Sequence, residues 1–211
     1  MRRAVLAALL LIALAALGYA GFTALRHKES SPLDDFGPVG EFSLTERSGR
    51  TVTNANLAGK VWIASFVFTR CTGPCPQVSG SVARLQDAFR DEPDVRLVTF
   101  TVDPEHDDTG ELKKYAEHFG ADSERWLFLT GPEEGLHRLI RENFHLGVQR
   151  TEGEALKPGQ EVTHSTKLAL VDRRGHVRGY FDGRQVDEEG RPVDELPKLR
   201  PAVAALLREQ P

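Results

Sequence analysis

The stretch Val61-Trp62-Ile63-Ala64-Ser65-Phe66-Val67-Phe68 runs directly into Thr69-Arg70-Cys71-Thr72-Gly73-Pro74-Cys75-Pro76, and a helical pattern over Gln77 to Glu92 follows. Eight consecutive residues without a charge suit a strand in the middle of a sheet, covered on both faces. After the second cysteine, Val78, Val82, Leu85 and Phe89 recur at helical spacing. The two cysteines are the only ones in the 211 residues. Placed at i and i+4 on the first helical turn, their sulfurs face the same way. The positive end of the helix dipole lowers thiol pKa there and supplies thiolate. Such a pair suits Cu(I), another thiophilic metal, or a reversible disulfide. A purely structural crosslink is the weaker reading, because closing so short a loop removes little entropy from the unfolded chain.

Outward from that turn, the chain alternates strands and helices. Glu41–Thr45 and Thr51–Thr53 flank Ser48-Gly49 as a small hairpin. Val95–Val102 is a second buried strand, Thr109–Phe119 a helix preceded by Asp107-Asp108 as candidate N-caps, and Trp126–Leu129 a short strand. A helix is expected over Glu133–Asn143 and a polar loop or inserted hairpin over 151–163. Lys167–Val171 and Val177–Phe181 pair across Arg174-Gly175, and a final helix covers about Val193–Arg208, its start blurred by Pro197 and Pro201. The order β-β-β-α-β-α-β-α-β-β-α predicts an α/β fold with a central mixed sheet flanked by helices, the last two strands antiparallel. In such sheets, sites gather at the C-terminal ends of strands, which is where Cys71 falls.

The N-terminus has its own character. Arg2 and Arg3 precede 22 uncharged residues, Ala4 to Leu25, enough to cross about 30 Å of hydrocarbon as a helix. A retained transmembrane anchor is expected. A cleaved signal peptide, with Gly18-Tyr19-Ala20 as a small-x-small site, is the alternative. Either one exports the rest of the chain, and the positive flank puts the N-terminus in the cytoplasm. An exported chain that keeps two adjacent cysteines uses them chemically more readily than structurally. The net charge of −4 becomes −6 once residues 1–25 are set aside, which argues against nucleic acid as a partner.

A third ligand would complete a metal site, and the chain has seven histidines. His27 lies in the polar stretch after the anchor, His118 and His137 on helices, His145 before the inserted loop, and His176 at a hairpin turn. His106, in Val102-Asp103-Pro104-Glu105-His106, follows a strand end and is the reserve choice. His164 is preferred, because it stands between the long loop and the strand Lys167–Val171, where the chain returns to the sheet beside the cysteine turn.

Taken in order, Gly59-Lys60-Val61, FVFTRCTGPCP (66–76), VTFTVDPEHDD (98–108), WLFLTG (126–131) and VTHSTKLALVDRRGHV (162–177) resemble the Sco/SenC family, over about Phe42 to Leu207. The resemblance implies a thioredoxin-like fold at 41–211, behind an anchor at 1–25 and a tether at 26–40. It implies a monomeric, membrane-anchored, extracytoplasmic copper metallochaperone, on the periplasmic face of the inner membrane in a Gram-negative cell. The implied ligands are Cys71, Cys75 and His164. Asp103 matches the acid of the family's Val-Asp-Pro segment and would orient a ligand or partner. The implied partner is the copper-bearing subunit of cytochrome c oxidase, whose dinuclear copper centre the protein would help assemble. Two positions depart from the pattern. Thr72 stands where many members have Pro, and Thr163 where many have Asp.

A thiol–disulfide oxidoreductase acting on that subunit or on another exported protein is the competing function. Three features weigh against it: a gap of three residues rather than two between the cysteines, Ser165-Thr166 where a Pro usually precedes the facing strand, and a histidine that such an enzyme does not need.

Overall fold

Strand β3 (Val61–Val67) is buried along its entire length, no residue exceeding 2% exposure. It can be buried only by having neighbours on every side, and the fold is built to supply them. The computed structural model describes residues 33–151, 162–187 and 189–209. The apolar segment 1–25 and residues 152–161 of the inserted loop lie outside the described residues. Among the described residues, no helix is long and apolar enough to cross a membrane.

Chain order is β1 (Ser43–Glu46), β2 (Thr51–Thr53), α1 (Asn54–Leu57), β3, α2 (Cys75–Ala88), β4 (Val95–Thr101), α3 (Thr109–His118), β5 (Trp126–Thr130), α4 (Glu133–Arg138) running into a π-turn (Leu139–Asn143), β6 (Val148–Arg150), β7 (Val162–His164), β8 (Lys167–Val171), β9 (Val177–Asp182) and α5 (Leu196–Arg208). Seven strands form one sheet in the order β2-β1-β5-β4-β3-β8-β9. The three central strands β5, β4 and β3 are parallel, and the outer strands run antiparallel to them or to each other. β6 and β7 pair only with each other, as a separate two-stranded sheet.

Alternation along β3 and β4 sorts the core. On one face Trp62, Phe66 and Phe100 surround Phe144, with ring centroids 5.0 to 6.0 Å from it. On the other, Ser65 and Thr99 hydroxyls bond at 2.8 Å and the Trp126 indole N–H donates to Thr99 at 2.8 Å, so the buried polar atoms are satisfied. There α2 and α3 are joined by a 2.9 Å bond between the Ser79 and Tyr115 hydroxyls. Register matters most at the parallel strand ends. Val67 pairs with Thr101, and the Val102 N–H donates to the Val67 carbonyl at 2.9 Å. The turns that leave β3 and β4 therefore emerge side by side.

The structure refines several sequence expectations. The helix expected over 133–143 is α-helical only to Arg138, after which i+5 bonds take over, including Phe144 N–H to Leu139 carbonyl at 3.1 Å. The wider turn delivers Phe144 to the aromatic cluster. α5 begins at Leu196, with Pro197 in its first turn, where a missing N–H costs nothing. The inserted segment is a hairpin at its described ends, so His164 lies inside a strand rather than ahead of one. From Leu33 onward the chain is docked: Phe36 N–H donates to the Val177 carbonyl, and the buried Arg178 donates to the carbonyls of Leu33 and Asp34.

Replacing Phe144 by Ala leaves a void among three aromatic side chains and should lower unfolding stability by about 3–5 kcal/mol. Urea denaturation followed by tryptophan fluorescence measures it; a loss below 1 kcal/mol would mean that this cluster is not the centre of the core.

Candidate metal centre

Cys71 closes a tight turn on the end of β3, its N–H donating to the Phe68 carbonyl at 3.2 Å. Cys75 is the first residue of α2, with Pro74 at the N-cap and Pro76 in the first turn. Pro76 presets the helical φ and spares an N–H that would have had no partner. Cys75 is fully buried, Cys71 half-buried, and both are free thiols. Across from them, β7 delivers His164, whose Nε2 lies 3.3 Å from Cys75 Sγ. Its Nδ1 is 2.9 Å from the Ser165 carbonyl oxygen. A carbonyl only accepts, so Nδ1 carries the proton and Nε2 presents its lone pair to the sulfurs. The Phe68 ring stands edge-on to the imidazole at 5.8 Å and fixes its plane. Cys75 and His164 thus meet although 89 residues separate them, while Cys71 lies on the turn ahead of α2 rather than in its first helical turn as the spacing suggested.

Their protonation states differ. A hydrogen bond from the Cys75 thiol, aided by the backbone N–H groups of Cys75 and Gly73, brings the Cys71 thiol down to about 4. The same bond to Cys71, together with burial, pushes the Cys75 thiol up. At neutral pH the turn holds one thiolate and one thiol. A soft cation entering here need expel only the Cys75 proton. Two sulfurs and one imidazole nitrogen fit copper in either oxidation state.

The loop after β4 braces the turn. Asp107 is fully buried and accepts from the Thr69 N–H at 3.1 Å, the Thr69 hydroxyl at 2.6 Å and the Thr101 hydroxyl, which ties down the residue two before Cys71. Burial raises its pKa. Asp103 is fully buried as well. Its carboxylate accepts from Arg70 at 3.0 Å, His106 Nδ1 at 3.0 Å and Arg150 at 2.9 Å. Burial alone would raise Asp103, but these donors hold it below the usual carboxylate range. Asp103 is therefore bonded both to Arg70, the neighbour of Cys71, and to Arg150 of β6.

The remaining described histidines have other partners. His106 is bound to Asp103, His118 packs edge-on against the Phe119 ring, the buried His137 pairs its Nε2 with the Val102 carbonyl at 2.8 Å, His145 faces the Phe36 carbonyl, and His176 pairs with Asp35. Asp103, Glu105 and His106 are close enough to hold a cation, but Arg70 and Arg150 already supply the positive charge there. Sequence reasoning missed Arg70, Asp107, Glu133 and Arg150. Asp107 lay in view in VTFTVDPEHDD, where it was assigned to capping; Asp108 is the actual cap of α3.

A mixed sheet with a cysteine pair at the C-terminal end of its central strand, opposite a histidine, defines the thioredoxin-like class. The SCO1/SenC family model matches residues 32–195, and the chain belongs to that family. It is 32% identical over 160 residues to the SCO1 protein homolog of Bacillus subtilis, covering 75% of this chain and 78% of the relative. Among solved structures, it resembles BsSco, described as a member of the Sco family of cytochrome c oxidase assembly proteins with a disulfide switch. Identity there is 28%, with a TM-score of 0.69 and coverage of 84% of this chain and 98% of the other. It also resembles Arabidopsis thaliana ScoI with copper bound (27% identity, TM-score 0.63, 81% and 98% coverage).

Two outcomes test the electrostatics. With Cys71 already ionised, its alkylation by iodoacetamide, mapped by mass spectrometry, should stay nearly flat from pH 6 to 8, whereas an ordinary thiol would accelerate roughly 70-fold. A steep rise would refute the thiolate assignment. Asp103 titrates below its ordinary 3.8, so its stabilisation is present above that value and lost as pH falls through the lower folded one. Asp103→Asn should cost about 2–3 kcal/mol at pH 7, discounted because both arginines are partly exposed. The gap to wild type should narrow below pH 3.8; a gap independent of pH would show that the charge is not what matters.

Proposed function

We propose that the chain is a membrane-anchored, extracytoplasmic copper carrier that binds one copper ion through Cys71, Cys75 and His164. It would pass the ion to the dinuclear copper centre of cytochrome c oxidase. The observation that carries this reading is the 3.3 Å approach of the His164 Nε2 lone pair to Cys75 Sγ, with Nδ1 capped by a carbonyl. A dithiol exchanging with disulfides has no use for an imidazole held in that tautomer. Further support comes from the copper in the Arabidopsis ScoI structure and from the assembly role in the description of BsSco. The uncharged segment Ala4–Leu25 supplies the anchor. Release would proceed by ligand exchange: incoming thiolates of the recipient displace the half-buried Cys71 first, because of the two sulfurs it alone is open to a partner.

One observation favours a second reading. A half-buried thiolate beside a buried thiol is the arrangement of an attacking and a resolving cysteine. The Cys71 thiolate would attack a target disulfide and release one target thiolate. Cys75 would then lose its proton and displace the second, leaving a Cys71–Cys75 disulfide and a reduced target.

Anaerobic copper titration of the reduced protein separates the two. One Cu per chain is expected in wild type. Cys71→Ala and Cys75→Ala should lose tight Cu(I) binding without unfolding, and His164→Ala should lose most of the Cu(II)–thiolate absorption while retaining Cu(I), which two thiolates can hold. Stoichiometric copper retained by either cysteine variant would overturn the proposal. Absent copper in wild type, with ready disulfide formation, would establish the thiol reading instead.

A further inference from the structure

His164 reaches the cysteines from a ribbon that has little to hold it. β6 and β7 are three residues each and hydrogen-bond only to each other, which is too small a sheet to stand alone. Val148 and Val162 give it two buried apolar contacts with the core. Its charged attachment is Arg150, which faces Val162 across the ribbon, two residues along β7 from His164. The Arg150 guanidinium makes a forked contact with Glu133 at the start of α4, with Nε 2.9 Å from Oε1 and Nη2 2.7 Å from Oε2. The same Nη2 lies 2.9 Å from Asp103 Oδ1. Glu105 adds a longer contact at 3.6 Å. Asp103 in turn binds Arg70, next to Cys71. A single buried carboxylate therefore ties together the cysteine turn and the histidine ribbon.

We infer that Arg150 is a positioning residue for His164. By clamping Asp103 and Glu133 it holds the β6–β7 ribbon over the ends of β3 and β4, with Nε2 facing Cys75. The consequence for metal binding rests on the copper reading above. Arginine is required because a planar fork engages both carboxylates at once, whereas an ammonium is a point charge that can satisfy only one of them fully. Releasing the clamp frees the imidazole but leaves both sulfurs in place. The penalty therefore falls on Cu(II), which depends on nitrogen, and spares Cu(I).

The test compares full-length wild type with Arg150→Met, Arg150→Lys and Glu133→Gln. Asp103 keeps Arg70 and His106 in all of them, so none leaves it unpaired. Arg150→Met should weaken Cu(II) about tenfold or more and diminish its thiolate absorption, with Cu(I) affinity nearly unchanged. Arg150→Lys and Glu133→Gln should fall between. In the copper-free protein, hydrogen exchange at the amides of 148–150 and 162–164 should speed up roughly tenfold in Arg150→Met, while that in β3 stays put. Cu(I) and Cu(II) weakening equally, or neither changing while ribbon exchange also stays constant, would overturn the inference. Should wild type show no Cu(II) signal that depends on His164, the copper reading fails. The clamp then stands or falls on ribbon exchange alone, faster exchange supporting it and unchanged exchange refuting it.

Discussion

Two carboxylates, Asp103 and Asp107, are buried completely in the turn after β4, and a buried carboxylate must be matched by donors. That requirement organises the functional end of the molecule. Asp107 draws its donors from Thr69 and Thr101, fastening the cysteine turn to the strand beside it. Asp103 draws its donors from Arg70, His106 and Arg150, which sit on three different segments. Neither carboxylate is one of the three expected donors, yet their bonds reach the cysteine turn through Thr69 and Arg70 and the histidine ribbon through Arg150. The parallel register of β3 and β4 makes this possible, since it brings the two turns out at the same level.

The sequence made the fold legible where local chemistry decided it. An uncharged β3, a proline-flanked helix start at Cys75 and alternating strands elsewhere needed no knowledge of distant residues. His164 was legible through its place between the loop and β8. Arg150 was not, because its partners lie 17 and 47 residues away and nothing in Gln149-Arg150-Thr151 distinguishes it from a solvated arginine. Asp107 was misjudged for a related reason. An acid before a helix is ordinarily a cap, and only the parallel packing of β3 against β4 turns it inward. The π-turn was also out of reach, since helical periodicity over 133–143 does not register a widened last turn.

The protonation pattern explains how one site supports two chemistries. The Cys71 thiolate and the Cys75 thiol share a proton between closely spaced sulfurs, so whatever removes that proton decides the outcome. A copper ion replaces it with a metal bond. A target disulfide removes it by becoming the leaving group that accepts it. The His164 lone pair stabilises the first product and adds nothing to the second. On the proposed copper reading, the imidazole is what tilts a thioredoxin-like dithiol toward metal.

The two departures from the family pattern can be weighed by where their side chains point. Along β7, Val162 is buried, Thr163 exposed and His164 turned in toward the cysteines, as strand alternation requires. A side chain at 163 lies on the opposite face of the ribbon from the imidazole. Among the described residues it faces the Thr151 hydroxyl, at 3.4 Å. An aspartate there would not reach the His164 ring, whose orientation is already set by the Ser165 carbonyl and the edge of Phe68. Thr72 is likewise exposed, between the cysteines on the outer side of the turn. Both substitutions therefore change the surface that an approaching partner meets and leave the donor set intact. Divergence at these positions is divergence in recognition, and it gives no reason to expect a different metal or different ligands.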